Sequence, residues 1–194
     1  MKELQSIIQR HIDSGKYQGV EWKINLKNNI FQGKLGYLDL ENLNPIEDNS
    51  LYRIWSMTKP IISVMVLQFI DEGKIKLTDP LNLFLPQFDN LKVLKSINGS
   101  IDDIKNVSSF PTIKDLLLHT AGFSYNFLGD SVGENYNKVG LFNSESTTLE
   151  EEINLLSTLP LLYEPGSRWV YSVSVDVLAR IIEVVAGSKL QEVL

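Results

Sequence analysis

The chain has 194 residues, 43% of them hydrophobic and 22% charged, which suits one folded domain with a sizeable core. Its formal net charge of −6 argues against a nucleic-acid or anionic-membrane surface, so no nucleic-acid partner is expected. Cysteine is absent and histidine occurs only as His11 and His119, which excludes a disulfide framework, a thiolate nucleophile and a histidine-rich metal site.

Residues 2–13 carry Leu4, Ile7, Ile8 and Ile12 at helical spacing, and Gly15 stops them. This opening is amphipathic, with no continuous apolar stretch, so it is not read as a signal peptide. No later apolar run is long enough to be a transmembrane segment, and a cytoplasmic location is the default expectation. Val20, Trp22, Ile24 and Leu26 alternate with polar residues and predict a half-buried strand. Lys27-Asn28-Asn29 turns the chain, and residues 30–38 return as a second strand, with Gly33 and Gly36 weakening that reading.

The stretch from Leu51 to Gly73 is the centre of the sequence. Ser56-Met57-Thr58-Lys59 opens it, and residues 61–70 are apolar except for Ser63 and Gln68. A helix apolar on nearly every side is expected to be buried. Pro60 fits only in its first turn, where no N–H partner is needed. Ser56 and Lys59, three residues apart, then share one face at the helix N-terminus. A serine hydroxyl needs a base within reach, and a lysine can be that base once its pKa is lowered. Burial and the positive end of the helix dipole are both expected to lower it. The same helix end offers N–H groups to an oxyanion. On spacing alone, chance occurrence and an ordinary serine N-cap explain Ser-x-x-Lys more often.

Beyond it, Asp79-Pro80 marks a turn, residues 83–88 are too proline-broken for a long element, and residues 91–110 give weak signals. Thr112 and Asp115 have capping-box spacing before Leu116-Leu117-Leu118. Residues 124–147 read as a long polar loop, either a wall of the site or a mobile segment. Thr148 and Glu151 form a second capping box, with a short helix from Leu149 to about Ser157. The last clear helix runs from Val175 to Ala186, with Gly187 as its cap. His119 is read as structural, its ring capping carbonyls at a helix end.

Five motifs occur in order: Ser56-Met57-Thr58-Lys59; residues 73–80, GKIKLTDP; residues 116–122, LLLHTAG; residues 165–172, PGSRWVYS; and Asp176-Val177-Leu178 with Val185-Ala186-Gly187. Together they resemble the serine beta-lactamase family in its broad class C sense, which includes penicillin-binding carboxypeptidases and beta-lactamase-like esterases. The resemblance implies that Ser56 is the acylating nucleophile, Lys59 its partner base and Tyr171 the residue that shares proton transfer. The implied fold is α+β, an antiparallel sheet flanked by helices, with a helical region inserted after the nucleophile. The chain matches its N-terminal portion: a helix plus hairpin over residues 1–50, then the nucleophile helix and a mostly helical region over 51–194, one partial domain. The implied substrate is a small-molecule ester, amide or beta-lactam, with no cofactor and no metal.

Two departures qualify the resemblance. The family's Tyr-x-Asn reads Tyr171-Ser172-Val173 here, and Val173 has no amide to hold a substrate or steady Lys59. That favours esterase-like chemistry over beta-lactam hydrolysis. Ser172 and Trp169, beside Tyr171, are the candidate substrate-binding residues. The family's Lys-Thr-Gly or His-x-Gly strand does not follow Tyr171, so the C-terminal sheet strands are expected to be absent, with an exposed edge for a C-terminal half or a homo-oligomer to cover. The rival to a serine hydrolase is therefore a non-catalytic remnant or binding module that needs such a half.

Overall fold

The chain divides into two units, Met1–Ile54 and Trp55–Leu194, and the structure, a computed structural model, describes residues 2–143 and 147–194.

In the first unit, α1 (Lys2–Asp13) half-buries Leu4, Ile8 and Ile12, one stripe at four-residue spacing, and leaves Ile7 exposed. The strands β1 (Gly19–Leu26) and β2 (Asn29–Gly36) pair antiparallel, from Gly19 opposite Gly36 to Leu26 opposite Asn29. Their link is shorter than the sequence suggests: Lys27 and Asn28 alone make the turn, both with positive φ, as a two-residue hairpin turn requires. Gly33 is explained by its partner Trp22, since a Cβ at Gly33 would meet the indole at 2.2 Å. The alternation of β1 is present, but Ile24 and Leu26 are exposed. Among the described residues of this unit only Ile46 is buried.

The second unit opens with a single 3-10 turn, Trp55–Met57, that runs into α2 (Thr58–Asp71). Ile62, Met65, Val66 and Phe69 form its buried stripe. Ile61, Val64 and Leu67 are exposed, so α2 is not the helix buried all round that its composition suggests. Composition fixes how apolar a helix is; which sides are covered depends on what packs there.

Short 3-10 turns at Leu81–Leu83 and Pro86–Phe88 fill the proline-broken stretch. The weak region holds a small antiparallel hairpin, β3 (Lys92–Leu94) with β4 (Ile104–Asn106). Next come α3 (Ile113–Leu117) and α4 (Ser131–Val139). The first has the expected Thr112–Asp115 capping box. The second lies inside the stretch read as loop; Asp130 caps it, and Val132 and Tyr136, four apart, are buried. α5 (Leu149–Leu156) starts at the Thr148–Glu151 capping box. α6 (Ser174–Ala186) is the centre of the unit, with Val177, Leu178, Ile181 and Ile182 fully buried and α2, α3, α5 and α7 (Leu190–Val193) packed on it. The architecture is α+β, two small antiparallel hairpins among helices. Among the described residues no helix is long and apolar enough to cross a membrane.

Candidate active site

Ser56 lies in the turn that feeds α2. The residue before it, Trp55, has φ +47, a left-handed backbone that is uncommon for a bulky side chain and that tends to persist at functional sites. Met57 is the N-cap residue of α2 and makes no side-chain cap. The Ser56 hydroxyl is directed instead at Tyr171, with Oγ 2.6 Å from the phenol oxygen. Lys59 stands behind the serine, its Nζ 3.4 Å from Ser56 Oγ and donating to Tyr125 Oη at 3.0 Å. Tyr125 in turn donates to Asp176 Oδ2 at 3.3 Å. The ammonium also lies over both rings, 5.1 Å from the centroid of Tyr171 and 5.4 Å from that of Tyr125.

The electrostatics correct the expectation for Lys59. Burial is the largest single influence and pulls its pKa down. Hydrogen bonds to Tyr125 and Tyr171, with the charge of Asp176 beyond them, outweigh it and hold Lys59 above its ordinary value. Lys59 therefore stays an ammonium at neutral pH, although it sits at the positive end of α2. Tyr171 moves the other way: the hydrogen bond with Ser56 is the main cause, Lys59 adds to it, and together they overcome burial and lower the phenol. Tyr125 is pushed up to about 12 by burial and by Asp176, so it remains a protonated donor. Burial raises Asp176, with Lys59 partly offsetting it. The two phenols are thus driven apart, one toward phenolate and one toward phenol.

Local backbone pairing sets these positions. The segment after α3 lies beside the segment before α6, with the Val170 N–H donating to His119 O at 2.9 Å and the Val173 N–H to Ser124 O at 3.2 Å. Tyr171 and Tyr125 are carried on these two segments, and their ring centroids are 5.2 Å apart. α4 supports Tyr125 at Gly133, where a Cβ would meet the Tyr125 carbonyl at 2.2 Å.

Ser56, Lys59 and Tyr171 come together at a cavity of about 610 Å³. Its other walls are mostly apolar, with Ile62, Phe127, Leu141, Phe142, Val175 and Ala179 among them. Val173 lines it as well. Ser172 and Trp169 are not among the lining residues. Ser172 is buried and turned toward His119 and Ser174; Trp169 is exposed and lies edge-on to the His119 ring at 6.4 Å. The His119 Nδ1 does not meet the end of α3, as the expected capping would have it, but accepts the Ser172 N–H at 3.2 Å. Tyr125 and Asp176 had not been singled out as site residues. Asp176 left two readable traces, its place in the last of the five motifs and a carboxylate in the first turn of a mostly apolar helix. Tyr125 left none, because its place depends on how a loop packs. Among the described residues no group of three His, Asp or Glu side chains could hold a metal ion.

The beta-lactamase family profile matches residues 4–194. Protein Rv1367c of Mycobacterium tuberculosis is 29% identical over 192 residues, 98% of this chain and 47% of that protein. Esterase EstB of Burkholderia gladioli is 30% identical over 164 residues, 83% of this chain and 39% of that protein. Among solved structures, EstCE1, described as a hydrolase with promiscuous acyltransferase activity, superposes with a TM-score of 0.80 at 31% identity, over 99% of this chain and 48% of its own. The chain spans about half the length, or less, of these relatives.

Proposed function

The chain belongs to the beta-lactamase family, and from that premise we propose that it is the nucleophile-bearing part of a serine hydrolase acting on esters through an acyl-enzyme. The observation that carries this reading is the 2.6 Å contact between Ser56 Oγ and Tyr171 Oη, with the Lys59 ammonium behind it.

In this reading the Tyr171 phenolate, stabilised by Lys59, takes the Ser56 proton as Oγ attacks the ester carbonyl carbon. The N-terminus of α2 offers N–H groups to the resulting oxyanion. The tetrahedral intermediate collapses, the carbonyl–oxygen bond to the alcohol breaks, and Tyr171 returns the proton to the leaving alcohol. Water then attacks the acyl-serine carbonyl with Tyr171 as base, the acyl–Oγ bond breaks, the acid leaves and Tyr171 returns the proton to Ser56; an alcohol in place of water would give acyl transfer. Tyr125 and Asp176 hold the ammonium, a role for which Val173 has no polar side-chain atom. The apolar cavity beside Ser56 and that missing amide favour esters with a hydrocarbon acyl group over beta-lactams and peptides.

The test is intact-mass spectrometry of the full chain with p-nitrophenyl butyrate and with a fluorophosphonate. The expected result is a single adduct on the wild type that is absent from Ser56→Ala. A second reading, a non-catalytic module completed by another polypeptide, is favoured by the exposed apolar row Ile61, Val64 and Leu67 on α2. A folded chain that takes no adduct would sink the claim that this polypeptide is an enzyme by itself, and the second reading would then lead.

A further inference from the structure

His119 follows α3 with φ +55, a left-handed backbone in which histidine and asparagine are enriched. Its carbonyl accepts the Val170 N–H at 2.9 Å, and its Nδ1 accepts the Ser172 N–H at 3.2 Å. These bonds bracket Tyr171, one peptide before it and one after. The imidazole lies 5.0 Å from the Tyr171 ring. Ser172 Oγ is 3.3 Å from the same Nδ1 and 2.8 Å from Ser174 Oγ, which ties the arrangement to the first turn of α6.

An N–H donor pointing at Nδ1 requires a lone pair there. The imidazole must be neutral, with its hydrogen on Nε2. Protonation would place an N–H against an N–H and break the bond. We propose that His119 is the positioning residue of Tyr171: its neutral ring fixes the Ser172 peptide and so holds the phenol on Ser56, and protonation at Nδ1 releases it and turns the site off in acid. The inference rests on the reading of Tyr171 as the proton acceptor of Ser56.

The groups facing the ring agree with this. Lys59, from α2, is the cation that acts on it; Tyr171 lies against it; Tyr125 and Asp176 act one step away, through Lys59. Burial and then the Lys59 charge hold the imidazole below its usual range, which keeps Nδ1 an acceptor at neutral pH. Asp176 also titrates in acid, raised by its burial. An acid limb in the wild type therefore has two candidate sources, and the substitution must separate them.

His119→Asn does so. Asparagine tolerates the left-handed backbone, and its amide oxygen can accept the Ser172 N–H but cannot be protonated in this range. His119→Leu removes the acceptor altogether. The experiment measures the rate of Ser56 phosphonylation by a fluorophosphonate across acid to neutral pH, on the full chain, with circular dichroism as the check of fold. In parallel, the ¹⁵N-labelled chain is examined for scalar coupling between the Ser172 nitrogen and His119 Nδ1.

The expected results are a coupling at neutral pH that vanishes as the ring titrates, and an Asn variant that keeps most of the neutral rate with a shallower acid limb. The Leu variant should be slower by about 100-fold, the scale expected when a reacting group is misplaced by about 1 Å. A missing coupling at neutral pH, or an Asn variant with an unchanged acid limb, overturns the proposal. So does a folded Leu variant that reacts at the wild-type rate. If the wild type is not phosphonylated at all, the reading of Ser56 fails and the switch fails with it, even where the coupling shows that His119 grips Ser172. If the Leu variant does not fold, the Asn variant decides.

Discussion

Residues 1–54 and 55–194 use apolar side chains in opposite ways. In the first unit β1 alternates regularly, yet Ile24 and Leu26 of that strand and Ile30 of its partner are exposed, and only Ile46 is buried among the described residues. In the second, one cluster of buried side chains runs from Ile62 in α2 to Ile182 in α6. Pattern is therefore not burial. Alternation tells which side of a strand could face a core, and only packing tells whether a core is there. The contrast also bears on function: Ser56, Lys59, Tyr125, Tyr171 and Asp176 all lie in the unit with the dense core. Rigid packing of that kind can hold reacting groups within a few tenths of an ångström.

The largest stability effect should come from the core beneath the site. Phe123 is 1% exposed, packs edge-on to Phe88 at 6.1 Å, and lies in the segment between His119 and Tyr125. Phe123→Ala is expected to cost about 3–5 kcal/mol in urea unfolding, from lost transfer energy plus a cavity. It should also slow Ser56 acylation in the fraction that stays folded, because it loosens the segment that carries Tyr125. A cost near zero would show that the core is not packed as described and would erase the contrast between the units.

A smaller effect should come from the helix start at Thr148. Its hydroxyl accepts the Glu151 N–H at 3.2 Å, and the Glu151 carboxylate accepts the Thr148 N–H at 2.7 Å. Thr148→Ala is expected to cost about 1 kcal/mol. The main-chain bond from Thr148, joined by its hydroxyl, lowers the Glu151 pKa. A lowered carboxylate stabilises the fold above its unfolded pKa, and that contribution is lost as pH falls through the folded value. The gap between wild type and variant should therefore narrow in acid, which urea unfolding at neutral and acid pH would measure. The Ala variant keeps the main-chain bond to Glu151, so a gap that stays constant would mean that the Thr148 hydroxyl adds nothing to the hold on the carboxylate.

The capping boxes at Thr112 and Thr148 also show what is legible in the sequence. Both capping boxes are local, set by residues three apart, and both were readable in the sequence. So were α1, α6 and the pairing of β1 with β2, which follow from periodicity and a short turn. The Ser56–Lys59 placement was readable for the same reason. Three features were not. α4 was hidden because Gly133 and the surrounding polar residues resemble a loop, and only the burial of Val132 and Tyr136 makes it a helix. The rise in the Lys59 pKa depends on Tyr125 and Asp176, far along the chain, whose approach no local pattern records. The contacts of His119 Nδ1 with the Ser172 N–H and Oγ join residues 53 positions apart.

The smallest effect should come from the exposed side of β1. Ile24 pairs with Phe31 across the hairpin and is 39% exposed. Ile24→Thr keeps the β-branch and its strand preference, so it removes little beyond a partly solvated hydrocarbon. The expected change is below about 0.5 kcal/mol, as for surface substitutions away from special features. A loss of about 2 kcal/mol or more would match a buried aliphatic residue instead. In that case something covers this side of the hairpin in solution, and exposure in the first unit would mark an interface rather than a thin core. Repeating the unfolding at two protein concentrations would then decide whether the cover is a second copy of the chain, because stability that depends on association rises with concentration.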